Sequence, residues 1–306
     1  MNGKAKKAIC LGLVALFSLI ACACGNDGGS SSPQTPRKPS TQSLVNKAMA
    51  DGELSVLTLG NSFSVDAMEY AYEIVTDLGV ENVRIGNLYK PGCSVEQHVQ
   101  YLQDEWSAYT YYLCQEGKWT NRNNSKSVDA LRSYEWDYIV LQHNPDVSGL
   151  ANKYEELPTL IDLVKSYCPS STIVWNMTWA YQSDSTQTAF NAYNKDQMTM
   201  YNKIIDATKE KVYKNEDIEM IIPSGTAIQN ARTSSLGDTL TRDGYHMSLD
   251  KGRYIAGVVF MAQISGKDPS KLTYKPDGVD DLTRQIAIQS VKKAIARPFV
   301  VSNINL

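Results

Sequence analysis

The chain has 306 residues, of which 42% are hydrophobic and 21% are charged, and these proportions suit one large globular domain. Its formal net charge of −3 offers no basic surface for a phosphate backbone, so nucleic acid is not expected as a partner. Beyond residue 50 the cysteines are Cys93, Cys114 and Cys168; an odd number without a Cys-x-x-Cys pair argues against a disulfide framework and a zinc site, although one disulfide stays open.

The N-terminal segment has the pattern of a bacterial targeting sequence. Lysines at positions 4, 6 and 7 precede the apolar run 8–20, which is short for a membrane span. The run ends in Leu19-Ile20-Ala21-Cys22, which resembles the bacterial lipobox. The resemblance implies a signal peptide at residues 1–21, lipid attachment at Cys22 and a place in the bacterial cell envelope, with the lipid as the only membrane contact. An ordinary signal peptide, cleaved nearby, is the alternative.

The segment after this cysteine is rich in glycine, serine, proline and asparagine. Residues 25–41 carry almost no large apolar side chain, so they cannot bury enough surface to fold. We therefore predict a flexible tether over residues 22–50 and a single domain over residues 51–306.

From about residue 54 the chain alternates short apolar runs with longer segments of helical spacing. Strands are predicted at residues 54–59, 83–88, 137–141, 172–175 and 219–222. Helices are predicted at residues 66–78, with Ser64 as N-cap, and at 251–264 and 280–296. The alternation indicates a three-layer α/β/α sandwich around a mainly parallel, five-stranded, flavodoxin-like sheet. Ligands bind such sheets at the edge where the parallel strands end.

Residues 101–136 depart from this alternation. Two segments rich in aromatic and polar residues flank Gln115-Glu116-Gly117, which indicates a small hairpin inserted into the domain. The insertion follows the second predicted strand, so it could form one wall of a cleft at the ligand-binding edge.

A serine, a histidine and an aspartate stand in loops at that edge. Ser62 follows the first strand and precedes a helix, where free backbone N–H groups favour developing negative charge. A serine nucleophile needs a base that a third group orients, and the chain has three histidines, His98, His143 and His246. Asp243 lies three residues before His246, a spacing that on a turn can place the carboxylate against the imidazole.

Other interpretations of these residues stay open. Ser62 alone could be a helix N-cap, or part of a loop that binds phosphate. His143 could be a rival base or a substrate contact, whereas His98 is predicted to lie on the surface of a helix.

Four short blocks, in order along the chain, resemble those of the SGNH (GDSL-like) hydrolases. Gly60-Asn61-Ser62 resembles the first block and Asp243-x-x-His246 the last, and between them Gly92 and Asn144 match the glycine and asparagine of the middle blocks. The resemblance implies Ser62 as nucleophile, His246 as base and Asp243 as its partner. It also implies an oxyanion hole formed by the amides of Ser62 and Gly92 and the side chain of Asn144.

The chain departs from the family pattern at two blocks. Asn61 replaces the usual aspartate, and Gln142 and Pro145 replace the glycine and the aspartate of the third block. Longer strings, such as residues 175–182, resemble a branch of SGNH-like lipoproteins of largely unassigned function.

The resemblance and the lipobox together imply a serine esterase that hydrolyses an O-acyl ester, with O-acetyl favoured, on a carbohydrate. No metal or other cofactor is expected. Trp179 and Tyr181 could stack on a sugar or belong to the core, and His143 and Arg232 are further candidates for substrate binding, although Arg232 could instead pair with Asp238. A glycan-binding lipoprotein without catalysis, and a lipase or thioesterase, are the alternatives; the oligomeric state stays open.

Overall fold

The computed structural model describes residues 40–306. The predicted signal peptide, the lipid site Cys22 and the tether up to residue 39 lie outside the described residues. The first described element is helix α1 (Thr41–Ala48), which Ser40 caps by accepting a hydrogen bond from the Ser43 amide. Leu44 and Ala48, one turn apart, are buried in the core, so the prediction of a tether through residue 50 is wrong over this helix.

A mixed sheet forms the centre of the described region. Its strands, in chain order, are β1 (Glu53–Gly60), β2 (Asn82–Tyr89), β3 (Tyr109–Gln115), β4 (Lys118–Ser125), β5 (Tyr138–Leu141), β6 (Thr172–Asn176) and β7 (Ile218–Ile222). Their spatial order is β4-β3-β2-β1-β5-β6-β7. The five predicted strands are confirmed as the parallel part, β2-β1-β5-β6-β7.

The predicted number of five strands is wrong because the inserted hairpin joins the sheet. Strand β3 pairs antiparallel with β2, with Tyr112 opposite Asn87, and β4 then pairs with β3. The hairpin itself was predicted, but its register against β2 depends on residues distant in sequence. The hairpin satisfies the backbone groups that β2 would otherwise expose at the edge of the sheet.

Helices cover both faces of the sheet. The remaining helices are α2 (Ser62–Met68), α3 (Ala71–Asp77), α4 (Val95–Gln103), α5 (Ser127–Arg132), α6 (Leu157–Tyr167), α7 (Gln197–Ala207), α8 (Ser224–Ala231), α9 (Lys251–Ser265) and α10 (Asp281–Ala296). Helices α2, α3, α8, α9 and α10 pack together as one layer, and α4, α5 and α6 pack together in the other. Short 3-10 turns lie at Ala151–Lys153, Thr188–Tyr193 and Pro269–Lys271, and α7 continues into a π-helical turn at Thr208–Tyr213.

The predicted three-layer α/β/α architecture is confirmed. Strands β5 and β6 are buried throughout, and nearly all of β1 is buried, as expected where helices cover both faces of a parallel sheet. Helix α9 is also buried along almost its whole length. None of the helices within residues 40–306 is both long and apolar enough to cross a membrane. Because helices cover both faces of the sheet, its strands are held in place and so are the loops that leave its carboxyl edge.

Candidate active site

The turn between β1 and α2 presents Ser62 at a helix N-terminus. The helix predicted over residues 66–78 divides into α2 and α3, and its N-cap is Asn61, whose side chain accepts from the Phe63 amide, rather than Ser64. Ser64 lies in the first turn, where its hydroxyl donates to the carbonyl of Asn61. This turn folds so closely on β1 that a Cβ at Gly60 would clash with the Ser64 hydroxyl. Ser62 is thereby the first residue of α2 and is half-buried.

Three side chains join the two ends of the domain in one hydrogen-bonded row. The Oγ of Ser62 lies 2.8 Å from Nε2 of His246, and Nδ1 of the same ring lies 2.6 Å from Oδ2 of Asp243. The other oxygen of Asp243 accepts from the backbone amide of His246 at 2.8 Å, which fixes the carboxylate against the ring. Burial raises the pKa of Asp243, but the hydrogen bonds from His246 outweigh it and leave the pKa below its usual value. Asp243 is therefore ionised at neutral pH.

Asp66 connects the helix of Ser62 to the loop of His246, and sequence reasoning did not identify it as a site residue. Its carboxylate is completely buried and accepts from the Met247 amide at 2.8 Å. It also forms ion pairs with Arg242, at 3.0 Å, and Arg253, at 2.8 Å. Two cations and an amide satisfy this buried charge, as such a charge requires. Its position one turn after Ser62 was the available signal in the sequence.

Gly92 and Asn144 lie together on the loops that follow β2 and β5. Gly92 has a φ of +60°, a left-handed conformation that favours glycine. The Nδ2 of Asn144 donates to the carbonyl of Gly92 at 2.6 Å, and its Oδ1 accepts from the Asp146 amide at 2.7 Å. The backbone N–H groups of Ser62 and Gly92 make no hydrogen bond to any other described residue. These N–H groups are available to stabilise an anion.

The two departures from the family pattern form one hydrogen-bonded network. Gln142 donates to Oδ1 of Asn61 at 2.8 Å, and Asn176 donates to Oε1 of Gln142 at 3.0 Å. The Nδ2 of Asn61 donates to the carbonyls of Cys93 and His143, both at 3.2 Å. An aspartate has no N–H for those carbonyls. Asn61 and Gln142 thus join the loops after β1, β2 and β5 without adding a buried charge.

Trp179 and Tyr181 lie behind the site rather than at its surface. Both side chains are fully buried. The Trp179 ring stacks on Phe63 at 4.2 Å, and its Nε1 donates to the carbonyl of Tyr245 at 2.8 Å. The Tyr181 hydroxyl donates to Asp146 at 2.6 Å. The prediction that they stack on a sugar is wrong, because buried rings present no face to a solute; they support the helix of Ser62 and the loop of His246.

His143 and Arg232 are also buried and do not reach the substrate side. The Nδ1 of His143 accepts from the Asn144 amide at 2.8 Å and Nε2 lies 2.9 Å from the carbonyl of Lys153, so the ring is neutral with its proton on Nε2. Arg232 forms an ion pair with Asp238 at 2.9 Å, and burial lowers the pKa of its guanidinium to about 10. Their prediction as substrate-binding residues is wrong, and the pairing of Arg232 with Asp238 is confirmed.

No disulfide joins the cysteines of the described region, since Cys93, Cys114 and Cys168 are free and buried. Burial raises the pKa of Cys93 to about 12, so its thiol stays protonated at neutral pH. Residues 40–306 contain no cluster of three or more histidine, cysteine, aspartate or glutamate side chains placed to hold a metal ion.

His98 is wholly buried, so its predicted place on a helix surface is wrong. Its ring stacks on Tyr109 and its Nδ1 lies 2.7 Å from the Tyr109 hydroxyl. Burial, with a smaller contribution from His143, lowers the pKa of His98 from 6.5 to about 3. Because the pKa of His98 is lower in the folded state, the unfolded chain binds a proton at a pH where the folded protein does not. The contribution of the neutral His98 to the unfolding free energy is therefore fully present above pH 6.5 and is lost as the pH drops from 6.5 towards 3.

We expect His98→Gln to remove part of this acid sensitivity. At pH 5 the histidine should cost about 2 kcal/mol of unfolding free energy relative to pH 7.5, since each pH unit below the unfolded pKa costs about 1.4 kcal/mol. Urea unfolding of wild type and variant at both pH values measures the difference, and other titrating groups cancel in the comparison. An equal loss in both proteins would contradict the assignment.

The arrangement of layers and loops defines a three-layer α/β/α sandwich around a mainly parallel sheet. The chain belongs to the DUF4886 family, described as a domain of unknown function, whose family model matches residues 55–294. A solved DUF4886 family protein from Bacteroides uniformis is similar to it, with 36% identity and a TM-score of 0.80, over 82% of this chain and 98% of that one.

Two more solved structures resemble the chain distantly. A candidate SGNH hydrolase from Slackia heliotrinireducens is 17% identical with a TM-score of 0.47, over 69% of this chain and 99% of its own. A candidate GDSL-like lipase from Parabacteroides merdae is 14% identical with a TM-score of 0.44, over 70% and 96%. At these scores neither similarity bears on the activity of this chain. No curated protein matches it.

Proposed function

We propose that the protein is a serine esterase in which Ser62 is the nucleophile, His246 the general base and Asp243 the residue that orients the base. The observation that carries the proposal is the hydrogen-bonded row from Asp243 through His246 to the Ser62 hydroxyl. An isolated serine hydroxyl is a weak nucleophile, and this row is the arrangement that activates it.

The reaction begins when Ser62 Oγ attacks the ester carbonyl and its proton passes to Nε2 of His246. The ionised Asp243 stabilises the resulting imidazolium through Nδ1. When the tetrahedral intermediate collapses, His246 returns the proton to the leaving alcohol, and an acyl group stays on Ser62. Water, deprotonated by His246, then attacks the acyl carbon; the bond to Ser62 Oγ breaks, His246 returns the proton to this oxygen, and the acid leaves.

The oxyanion of the intermediate lies at the N-terminus of α2. The backbone N–H groups of Ser62 and Gly92 point to no other described residue, and Asn144 Nδ2 keeps one hydrogen beyond the one donated to Gly92. Donors of this kind stabilise charge as it develops, at about 2.7–4 kcal/mol for each. The positive end of the α2 dipole adds to them.

The substrate we propose is an O-acyl ester, foremost an O-acetyl ester, of a carbohydrate outside the cytoplasm, reached by a protein held in the cell envelope through lipid on Cys22. The surface around Ser62 supports a bulky hydrophilic alcohol part, because Gly92 and Asp243 are exposed and Asn144 is partly so.

Labelling with a fluorophosphonate tests the nucleophile. We expect one modification, at Ser62, that is absent in Ser62→Ala and His246→Ala and unchanged in Ser166→Ala, a matched change of an exposed serine on α6. A panel of 4-nitrophenyl esters from acetyl to octanoyl then defines the acyl group, with acetyl preferred. Folded protein that neither takes the label nor cleaves any ester would contradict the proposal and favour a glycan-binding protein without catalysis.

A further inference from the structure

A groove of about 420 Å³ lies between α2 and the inserted hairpin, beside the proposed active site. Val65 of α2 and Glu69, the C-cap of that helix, line one side, and Tyr112 and Trp119 of the hairpin line the other. Its volume lies in the range of small-molecule binding sites. Ser62 does not line it, but Val65 follows Ser62 by one helical turn, a rise of about 4.5 Å.

The register of the sheet explains why these hairpin residues share one face. Tyr112 pairs with Asn87 across β2 and β3, and Asn121 pairs with Tyr112 across β3 and β4. Directly opposed residues in neighbouring strands point to the same side of the sheet, and so do residues two apart in one strand. Trp119 therefore lies on the same face as Asn121, and all four residues line the groove.

The floor of the groove carries an amide group with an unused hydrogen-bonding position. Asn87 is 2% exposed, and its side-chain amide lies 2.9 Å from the Ser64 hydroxyl. The other polar atom of this amide makes no hydrogen bond to any described residue. An amide at the floor of a groove can exchange a hydrogen bond with a ligand.

The walls combine aromatic surface with polar groups. Trp119 is 38% exposed, and Tyr112 is partly exposed beside it. Glu69 forms an ion pair through Oε2 with Arg253 at 2.8 Å, while its other oxygen is hydrogen-bonded to no described residue. A sugar ring matches this set, because its C–H face packs on an aromatic ring while its hydroxyls bind amides and carboxylates at the rim.

We propose that this groove binds a sugar unit of the ester substrate, with Trp119 as the stacking platform and Asn87, Asn121 and Glu69 as hydrogen-bonding partners. The inference rests on the proposed esterase for the identity of the bound sugar as part of its substrate, whereas sugar binding in the groove does not depend on catalysis. Residues of the groove, which a solute can reach, take the place of the buried Trp179 and Tyr181 as candidates for sugar binding.

Binding is tested first, without turnover. Ser62→Ala protein is titrated by calorimetry with partially O-acetylated xylo-, manno-, cello- and N-acetylchito-oligosaccharides. We expect at least one of these to bind, and Trp119→Ala in the same background to raise its Kd by about tenfold or more, as for truncation of an aromatic anchor. Trp106→Ala is the matched control, since Trp106 is 49% exposed but lies outside the groove, and it should leave the Kd unchanged.

Steady-state kinetics with two substrates distinguishes a role of the groove from a role of the active site. We expect Trp119→Ala and Asn121→Ala to lower the ratio of kcat/KM for the acetylated oligosaccharide to that for 4-nitrophenyl acetate by about tenfold. No binding by any oligosaccharide, or the wild-type Kd and ratio in Trp119→Ala, would overturn the groove while leaving the esterase intact. A preference for octanoyl esters that Trp119→Ala abolishes would assign the groove to an acyl chain and overturn the proposal too. Oligosaccharide binding without any ester cleavage would instead refute the esterase alone.

Discussion

Replacing Ser62 with alanine should lower kcat for ester hydrolysis by about 10⁴- to 10⁶-fold, the range that removal of a serine nucleophile produces in other triads. The reason is that Ser62 Oγ is the hydroxyl that His246 Nε2 contacts, and no other hydroxyl within residues 40–306 forms a hydrogen bond with this nitrogen. His246→Ala should cost a similar factor, because the serine then keeps its proton. Steady-state kinetics with 4-nitrophenyl acetate measures both.

The losses of kcat in Ser62→Ala and His246→Ala should not be additive. Ser62 and His246 act as one unit, so the double variant is expected to be as slow as either single variant. Asp243→Asn should retain more activity than either, because it leaves the nucleophile and the base in place. Thermal unfolding of each variant controls for stability. A Ser62→Ala protein that keeps more than about 1% of wild-type kcat would exclude this serine as nucleophile, given the losses known for triads.

Replacing Asp66 with asparagine should lower the unfolding free energy by about 3 kcal/mol, at the low end of the range for a broken buried ion pair. The low end of the range applies because Arg253 keeps its ion pair with Glu69, at 2.8 Å, and the side chain of Arg242 is 34% exposed. The same change should lower kcat, because the Met247 amide, next to His246, loses a charged acceptor. Urea unfolding gives the first quantity and turnover at a temperature where the variant is folded gives the second.

Glu69→Gln is the matched control for Asp66→Asn. It removes an acid that pairs with the same Arg253, but Glu69 is 43% exposed, so we expect a loss of stability below about 1 kcal/mol. If Asp66 positions the base, the second-order rate of fluorophosphonate labelling of folded protein should fall in Asp66→Asn. Labelling at the wild-type rate by a destabilised Asp66→Asn protein would assign Asp66 to stability alone.

The strands and most helices were predictable because their signals are local. The strand at 54–59 was read from a continuous apolar run, and β1 extends it by one residue at either end. The helix at 280–296 is confirmed as α10, with Asp280 as its N-cap. The prediction of one helix over residues 66–78 was wrong in where the helix starts and in its continuity. The start at the Asn61 cap depends on a turn packed tightly against the strand.

The residues of the candidate site divide in the same way. Ser62, His246 and Asp243 were identified from short motifs, and the structure brings them within hydrogen-bonding distance; their chemical roles stay predictions. The burial of Trp179 was not predictable, because an aromatic residue after a strand has the same local pattern at the surface as in the core. Asp66 was not predicted as a site residue, because its partner Arg253 lies 187 residues away in the sequence.

By itself, the sequence determined the order of strands and helices, the hairpin insertion and the loops that carry the serine, the aspartate and the histidine, because each depends on periodicity or on residues close together in the chain. The tertiary structure alone decided that the hairpin joins the sheet, which aromatic side chains face solvent, and that Asp66 holds the two ends of the site together. Burial and pairing between residues far apart in sequence arise only when the chain has folded, since they depend on which surfaces meet.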